Sequence, residues 1–344
     1  MIFLKKFKKM LLVAISGVFT INATGVTVTA KQNENYVYLG GQSFGVKFYS
    51  KGPIIIKLES FFNGNEYICP AKEAGLKVND IIKKVNNQEI YSNEDLQKAI
   101  LNSKGNTLTV TVERNKKLIE KEVKPFKNIP GNYLIGIWIR DSCAGIGTIT
   151  YYDTDNNYFA ALGHGICDSD TKAIMPLFKG ETVEAKISNV TKNTAGNIGS
   201  LNGYFTDNII GELTKNTSIG VYGTINDNNK FEYKRLKIAD YSEIRTGKAE
   251  IYTTIENDKA QYYDIEICNI KSNSTKSNEN FVIKVTDKEI LDKCGGIVQG
   301  MSGSPIVQNG KLVGAVTHVF VNNPEKGYGI IAQNMVSNYN SNTR

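Results

Sequence analysis

The feature that most constrains the fold is a long series of short apolar runs in the C-terminal part of the chain. They alternate with turns rich in glycine, asparagine and aspartate between residues 131 and 335, and only residues 287–293 are patterned as a short helix. About a dozen short strands in about 200 residues predict an all-β sandwich or a pair of barrels. The predicted strands lie at residues 133–139, 145–152, 158–162, 182–187, 220–225, 249–255, 262–268, 281–285, 305–307, 312–321 and 328–332.

Residues 300–307 (GMSGSPIV) are the most informative motif of this region. Glycines near Ser302 allow backbone dihedrals that a Cβ would forbid, and a tight turn of this kind points several N–H groups at one spot. Acyl-transfer chemistry needs such donors beside its attacking oxygen. A serine turn that leads into an antiparallel hairpin, here signalled by Asn309-Gly310, is typical of chymotrypsin-like serine proteases. The alternative is an ordinary glycine-rich turn with a solvated serine.

A nucleophilic serine needs a base, and the chain has only two histidines, His164 and His318. His164 ends a predicted strand between two glycines and precedes Ser302, which is the chain order of chymotrypsin-like proteases. The acid of a triad should lie between them. From chemistry alone Asp264, Asp287 and Asp292 all remain candidates. His318 lies on the strand after the serine, where it either lines a specificity pocket or has a structural role.

The segment 36–127 has the order of elements of a PDZ domain, which is an α+β fold. The resemblance is carried by Pro70-Ala71, Ala74-Gly75-Leu76 and Asp80-Ile81-Ile82, with a helix capped by Ser92 behind them. PDZ domains bind a peptide by adding it to a sheet edge. The resemblance therefore implies a peptide ligand, with a candidate binding loop made of Gly40, Gly41, Gln42, Ser43, Phe44 and Gly45. The alternative is a domain that serves only as a spacer.

Residues 1–30 combine a basic start with a mostly apolar continuation and contain no acidic residue. This pattern predicts a signal peptide or a membrane anchor, and therefore export with membrane association. Four lysines of this segment account for much of the net charge of +7. The remainder, about +3, is too small to indicate nucleic-acid binding.

The five cysteines form no C-x-x-C pair, and no metal-ligand spacing is present. We therefore expect no metal and no cofactor. An odd number of cysteines leaves at least one thiol unpaired, and the sequence assigns no disulfide.

Three sequence runs strengthen the interpretation of Ser302 and His164 as residues of a serine protease. Residues 139–148 (IRDSCAGIGT), 161–166 (ALGHGI) and 295–306 (GGIVQGMSGSPI) resemble the stage IV sporulation protein B peptidase family. The resemblance implies a serine endopeptidase in which a PDZ domain (36–127) precedes a chymotrypsin-like double β-barrel (131–335). It also implies a catalytic triad of His164, Asp287 and Ser302, with the backbone N–H groups of Gly300 and Ser302 as the oxyanion hole.

The same resemblance implies a biological role. The enzyme would be exported into the space between the two forespore membranes and would cleave itself near its N-terminus. It would then cut an extracytoplasmic part of a membrane-bound regulatory complex, which leads to pro-sigma-K processing. Its PDZ domain would control self-cleavage and recognise the target protein.

Two alternatives belong to other functional classes. HtrA-like quality-control proteases also combine a chymotrypsin-like domain with PDZ domains, but their PDZ domains follow the protease. The second alternative is a catalytically inactive scaffold that binds peptides through the PDZ domain, and the intact motifs around His164, Asp287 and Ser302 argue against it.

Overall fold

The structure is a computed structural model that describes residues 35–226, 234–256, 259–271, 274–275 and 277–341. The predicted signal or anchor segment at residues 1–30 lies outside the described residues. Among the described residues there is no helix of the length and apolarity that a bilayer-spanning segment needs.

The described residues form 22 strands and four α-helices. The strands are β1 (Tyr36–Leu39), β2 (Ser43–Leu58), β3 (Phe61–Phe62), β4 (Tyr67–Ile68), β5 (Ile81–Val85), β6 (Gln88–Glu89), β7 (Leu108–Arg114), β8 (Lys117–Val123), β9 (Phe126–Lys127), β10 (Tyr133–Leu134), β11 (Ile137–Asp153), β12 (Tyr158–Ala161), β13 (Leu177–Thr191), β14 (Ser200–Thr217), β15 (Gly220–Thr224), β16 (Arg235–Lys237), β17 (Gly247–Thr253), β18 (Gln261–Ile270), β19 (Phe281–Val285), β20 (Pro305–Gln308), β21 (Lys311–Phe320) and β22 (Asn323–Ile331). The helices are α1 (Pro70–Glu73), α2 (Asn93–Asn102), α3 (Lys288–Cys294) and α4 (Ala332–Ser341).

Two closed antiparallel barrels form most of the fold. In the first barrel the strand order is β11-β12-β15-β14-β13-β2, and pairing of β2 with β11 closes the ring. The second barrel has the order β17-β18-β19-β22-β21-β20. Each encloses its own apolar core, as expected when inward-facing side chains fill a small barrel. The predicted combination of a double β-barrel and a PDZ domain is confirmed.

A third apolar cluster joins the two barrels. It includes Tyr151 and Tyr222 from the first barrel, Leu312 and Ile330 from the second, and Met335 from α4. The Tyr222 hydroxyl donates to the Met335 carbonyl at 3.0 Å, so this buried polar group is satisfied. Helix α4, which the strand pattern missed, therefore fastens the second barrel to the first.

The PDZ domain is built from the second half of β2 together with α1, β5, α2, β7 and β8, around a core that includes Ile82, Leu96 and Val110. The predicted helix cap is confirmed. The Ser92 hydroxyl accepts from the Asp95 N–H at 3.1 Å, and the Asp95 carboxylate accepts in return from the Ser92 N–H at 3.1 Å. This reciprocal capping box stabilises the first turn of α2.

The PDZ domain is inserted into the first barrel. Strands β2 and β11 pair in the PDZ domain, where Ile54 is opposite Arg140, and again in the barrel, where Ser43 is opposite Thr148. Both strands run unbroken from one part to the other. The predicted PDZ boundary at residue 36 is therefore too early, because β1 pairs with β11 beside the barrel and residues 43–50 of β2 pair within it. Their alternating pattern suits either sheet, and only the pairing partner distinguishes them.

The longest strand, β14, was not predicted from the sequence. Its residues include Asn202, Thr206, Asp207 and Asn208, which are typical of turns. Three register shifts against β13 accommodate this polar stretch, and β-bulges of this kind are common in barrels. The two predicted strands at 133–139 and 145–152 are also largely one strand, β11.

Candidate active site

Ser302 lies in a turn that enters the second barrel just before β20. Gly300 and Gly303, on either side of it, have positive φ angles of 101° and 95°, which glycine adopts without steric cost. The Ser302 hydroxyl donates to the Thr317 carbonyl of β21 at 2.7 Å. The serine predicted to be the nucleophile is therefore held at a defined position, half-buried at the surface.

The N–H groups of this turn fall into two sets. Those of Met301 and Gly303 donate to the carbonyls of Val298 and Val316, at 3.2 and 2.8 Å. Within the described part of the chain, the N–H groups of Gly300 and Ser302 have no acceptor. These are the two donors predicted to form the oxyanion hole, and they are free to bind a developing negative charge.

His164 follows β12 in a sharp turn, where Leu162 and Gly163 have φ angles of 67° and 68°. A Cβ on Gly163 would lie 2.8 Å from the Thr317 Cγ2 atom, so only glycine permits this close approach to β21. The His164 ring centroid is 4.8 Å from that of His318. Ser302 contacts Thr317 and His164 contacts His318, so the predicted nucleophile and base both lie beside the same segment of β21.

The state of the His164 ring suits a general base. Its Nδ1 lies 2.8 Å from the Gly165 carbonyl oxygen, and a carbonyl can only accept, so Nδ1 carries the proton and Nε2 is left with its lone pair. The pKa of His164 is lowered to about 4, mainly by burial; the bond to Gly165 opposes this shift, and the nearby His318 adds to it. Burial lowers the pKa of His318 as well. His164 is therefore neutral near pH 7.

Asp287, the predicted acid of the triad, makes its hydrogen bonds to the start of α3 and to β18. Its Oδ1 accepts from the N–H groups of Glu289 and Ile290 at 2.8 and 3.3 Å, which makes it the N-cap of α3. Its Oδ2 accepts from the Asp264 N–H at 3.3 Å. The aspartate that precedes a short helix is a good cap, and this local role uses the carboxylate. The Gly165 carbonyl orients the His164 ring instead.

The predicted peptide-binding loop, residues 40–45, lies against the first barrel and outside the PDZ domain. The N–H groups of Gly40 and Gly41 donate to the carbonyls of Thr150 and Ile149 at 3.0 and 2.8 Å, and Phe44 is buried in the first barrel. These donors are therefore unavailable to a ligand, and the segment is barrel wall.

The apolar pocket of the PDZ domain lies at the end of α2 and the start of β11. It has a volume of about 320 Å³ and is lined by Glu59, Ser60, Phe61, Ile100 and residues 134–138. Gly136 has a φ of 80°, which lets the chain turn into β11. The sequence signal that could have located it is the apolar–glycine–apolar run 134–137 immediately before a strand.

Comparison with known proteins identifies the chain. The model of the SpoIVB peptidase S55 family matches residues 131–336, and a PDZ domain model matches residues 51–124. The chain belongs to the SpoIVB peptidase S55 family. It is a serine endopeptidase that carries an N-terminal PDZ domain.

The peptidase also resembles several solved structures at low identity. The active form of the Rv3671c protease from M. tuberculosis is 12% identical, with 57% of this chain and 72% of that chain covered and a TM-score of 0.32. Its inactive form is 10% identical over 57% and 83% of the two chains, with a TM-score of 0.31. The PDZ domain of an SdrC-like protein from Listeria monocytogenes is 19% identical over 26% and 87%, with a TM-score of 0.21.

Substitution of Asp287 distinguishes a helix cap from a triad acid. Asparagine caps a helix about as well as aspartate, whereas alanine costs roughly 0.5–2 kcal/mol. We expect Asp287→Asn to keep activity within a few-fold of wild type, and Asp287→Ala to lower the free energy of unfolding by that amount. Denaturant titration and serine-labelling rates measure the two effects. Asp292→Asn, in the same helix, is the matched control. A loss of about 10⁴ in Asp287→Asn, as expected for a triad acid, would contradict the cap assignment.

A second prediction concerns pH. His164 acts as a base only when neutral, so the rate of Ser302 labelling by diisopropyl fluorophosphate should fall as the pH drops through about 4, well below the usual histidine range. His318→Ala uncovers the His164 ring and removes a positive charge, and both changes raise its pKa. In His318→Ala the pH at which the labelling rate falls should therefore move toward 6.5. His318→Phe keeps the His164 ring covered, so in this variant the same pH should move less. A fall in the wild-type labelling rate already near pH 6.5 would contradict the lowered pKa of His164. Circular dichroism at each pH shows whether the protein stays folded.

Proposed function

We propose that the peptidase is a self-processing enzyme of sporulation signalling. It cleaves itself and then an extracytoplasmic part of a membrane-bound regulatory complex, which leads to pro-sigma-K processing. The observation that carries the proposal is the family match over residues 131–336, in a chain whose Ser302 and His164 both lie beside β21. Residues 1–30 would direct export to the space between the forespore membranes and would hold the enzyme at the membrane surface.

The geometry supports a two-stage acyl transfer. The Ser302 hydroxyl turns from the Thr317 carbonyl toward His164 Nε2, gives up its proton and attacks the scissile carbonyl. The N–H groups of Gly300 and Ser302 bind the oxyanion, and His164 returns the proton to the leaving amine. A water molecule then hydrolyses the acyl-enzyme by the same groups. His318 lies beside His164, with the two ring centroids 4.8 Å apart, where it would contact the substrate close to the scissile bond.

The PDZ domain would select the protein substrate and control self-cleavage. Support comes from the unbroken strands β2 and β11, since a peptide added along the start of β11 would contact a strand that continues into the first barrel. Its apolar pocket at Ile100 and residues 134–138 would take an apolar side chain of the peptide.

The proposal is tested in spore-forming cells whose own copy of the peptidase is replaced by the wild-type or the Ser302→Ala chain. We expect conversion of pro-sigma-K to its mature form only with the wild type. Conversion in the Ser302→Ala cells would favour the scaffold alternative. Rapid cleavage of unfolded casein by the purified wild type, without an effect on pro-sigma-K, would favour an HtrA-like role.

A further inference from the structure

Two buried threonines of β11 reach from the first barrel to the nucleophile turn of the second. The Thr148 hydroxyl donates to the Gly300 carbonyl at 2.8 Å, and the Thr148 N–H donates to the Ser302 carbonyl at 3.0 Å. The Thr150 hydroxyl donates to the Gly303 carbonyl at 2.8 Å. Both threonines have no exposed surface, so water does not compete for these bonds.

With these bonds, every carbonyl of the turn from residue 299 to residue 303 has a partner. The remaining two are held within or beside the turn: the Gln299 carbonyl accepts from the Leu201 N–H at 2.8 Å, and the Met301 carbonyl accepts from the Ser304 hydroxyl at 2.7 Å. A peptide unit is planar, so fixing the direction of a carbonyl also fixes the N–H of the next residue. The Gln299 carbonyl therefore fixes the Gly300 N–H, and the Met301 carbonyl fixes the Ser302 N–H. Thr148 and Thr150 hold the peptide units that adjoin these two, and so set where the two donors lie.

The residue before the serine does not orient the turn through a polar side chain. It is Met301, whose apolar side chain is fully buried. Met301 can pack in the core of the second barrel, but its thioether is at most a weak acceptor. Polar orientation of the turn must come from other residues.

We propose that Thr148 and Thr150 are positioning residues that hold the oxyanion turn from the opposite barrel. They act through the carbonyls of Gly300, Ser302 and Gly303 and do not touch the substrate. Thr148 contributes most, because it contacts the carbonyls on both sides of Met301.

The test measures labelling of Ser302 in the full-length peptidase by diisopropyl fluorophosphate. In this reaction the Ser302 Oγ–P bond forms, the P–F bond breaks, fluoride leaves and His164 takes the proton, while the phosphoryl oxygen occupies the oxyanion hole. Labelling at several concentrations separates the maximal rate from the apparent affinity. Loss of one oxyanion donor typically costs 10²–10³ in rate, so partial misalignment in Thr148→Val should lower the maximal rate by about 10–100-fold, with little change in apparent affinity.

Three further variants make the result specific. Thr148→Ser keeps the hydroxyl and should restore the rate to within about threefold of wild type. Thr150→Val should show a smaller loss of labelling rate, and it replaces Thr148→Val as the test if that variant does not fold. Thr182→Val is the matched control, because the buried Thr182 hydroxyl donates to the Gly211 carbonyl at 2.8 Å in the same barrel but away from the turn. Equal labelling rates in folded Thr148→Val, Thr150→Val and Thr182→Val would overturn the proposal; absence of labelling in the wild type would instead contradict Ser302 as the nucleophile.

Discussion

Ser302→Ala is expected to abolish peptide-bond hydrolysis, self-cleavage included, without unfolding the protein. The hydroxyl is the group that attacks the scissile carbonyl, and its loss from other serine peptidases lowers kcat by a factor on the order of 10⁶. The folded state should tolerate the change, since the substitution removes a single hydrogen bond, the one that Ser302 donates to the Thr317 carbonyl. Losing such a bond at a half-buried position costs about 1 kcal/mol.

The measurement is a map of N-termini by mass spectrometry after expression of the wild-type and variant chains. We expect a new N-terminus, downstream of residue 30, only in the wild type. Ser337→Ala makes the same chemical change at an exposed position of α4 and should process like the wild type. Identical new N-termini in the wild type and in Ser302→Ala would show that another protease produces them.

Gly303→Ala should have the second largest effect, on both activity and stability. A Cβ at this position would lie 2.0 Å from the Thr148 carbonyl oxygen and 2.5 Å from the Leu162 backbone nitrogen, and the φ of 95° is strained for alanine. Because the neighbours are backbone atoms, they cannot move aside cheaply. The turn must shift instead, and with it Ser302 and the oxyanion donors. We expect a cost of about 2–5 kcal/mol in stability and a loss of labelling rate of at least about 100-fold.

Gly310→Ala is the matched control for this prediction. Gly310 also has a positive φ, 73°, but an added Cβ would meet no atom within 4 Å. Its cost should therefore be confined to backbone strain, about 1–2 kcal/mol, with an unchanged labelling rate. Thermal unfolding and diisopropyl fluorophosphate labelling of the two variants test the comparison. Wild-type labelling in Gly303→Ala would mean that the contact between the barrels does not position the nucleophile.

Much of the fold follows from patterns that are local in the chain. The helix cap at Ser92 depends on residues three apart, and the strands of both barrels show the expected alternation of apolar residues between turns. Strand β14 was missed because its polar, bulged sequence lacks that alternation. The order of His164 and Ser302, each beside glycines, identified two of the groups that meet in the candidate site.

The sequence by itself determined the type of chemistry, because the motifs around His164 and Ser302 occur together in a chain that matches one peptidase family. Only the tertiary structure decided which groups surround them. The carboxylate of Asp287 caps a helix, residues 40–45 are barrel wall, and Thr148 reaches the turn from another barrel. The physical reason is that a strand's alternation specifies which side chains face inward but not which strand lies beside it, and each of these contacts depends on that choice.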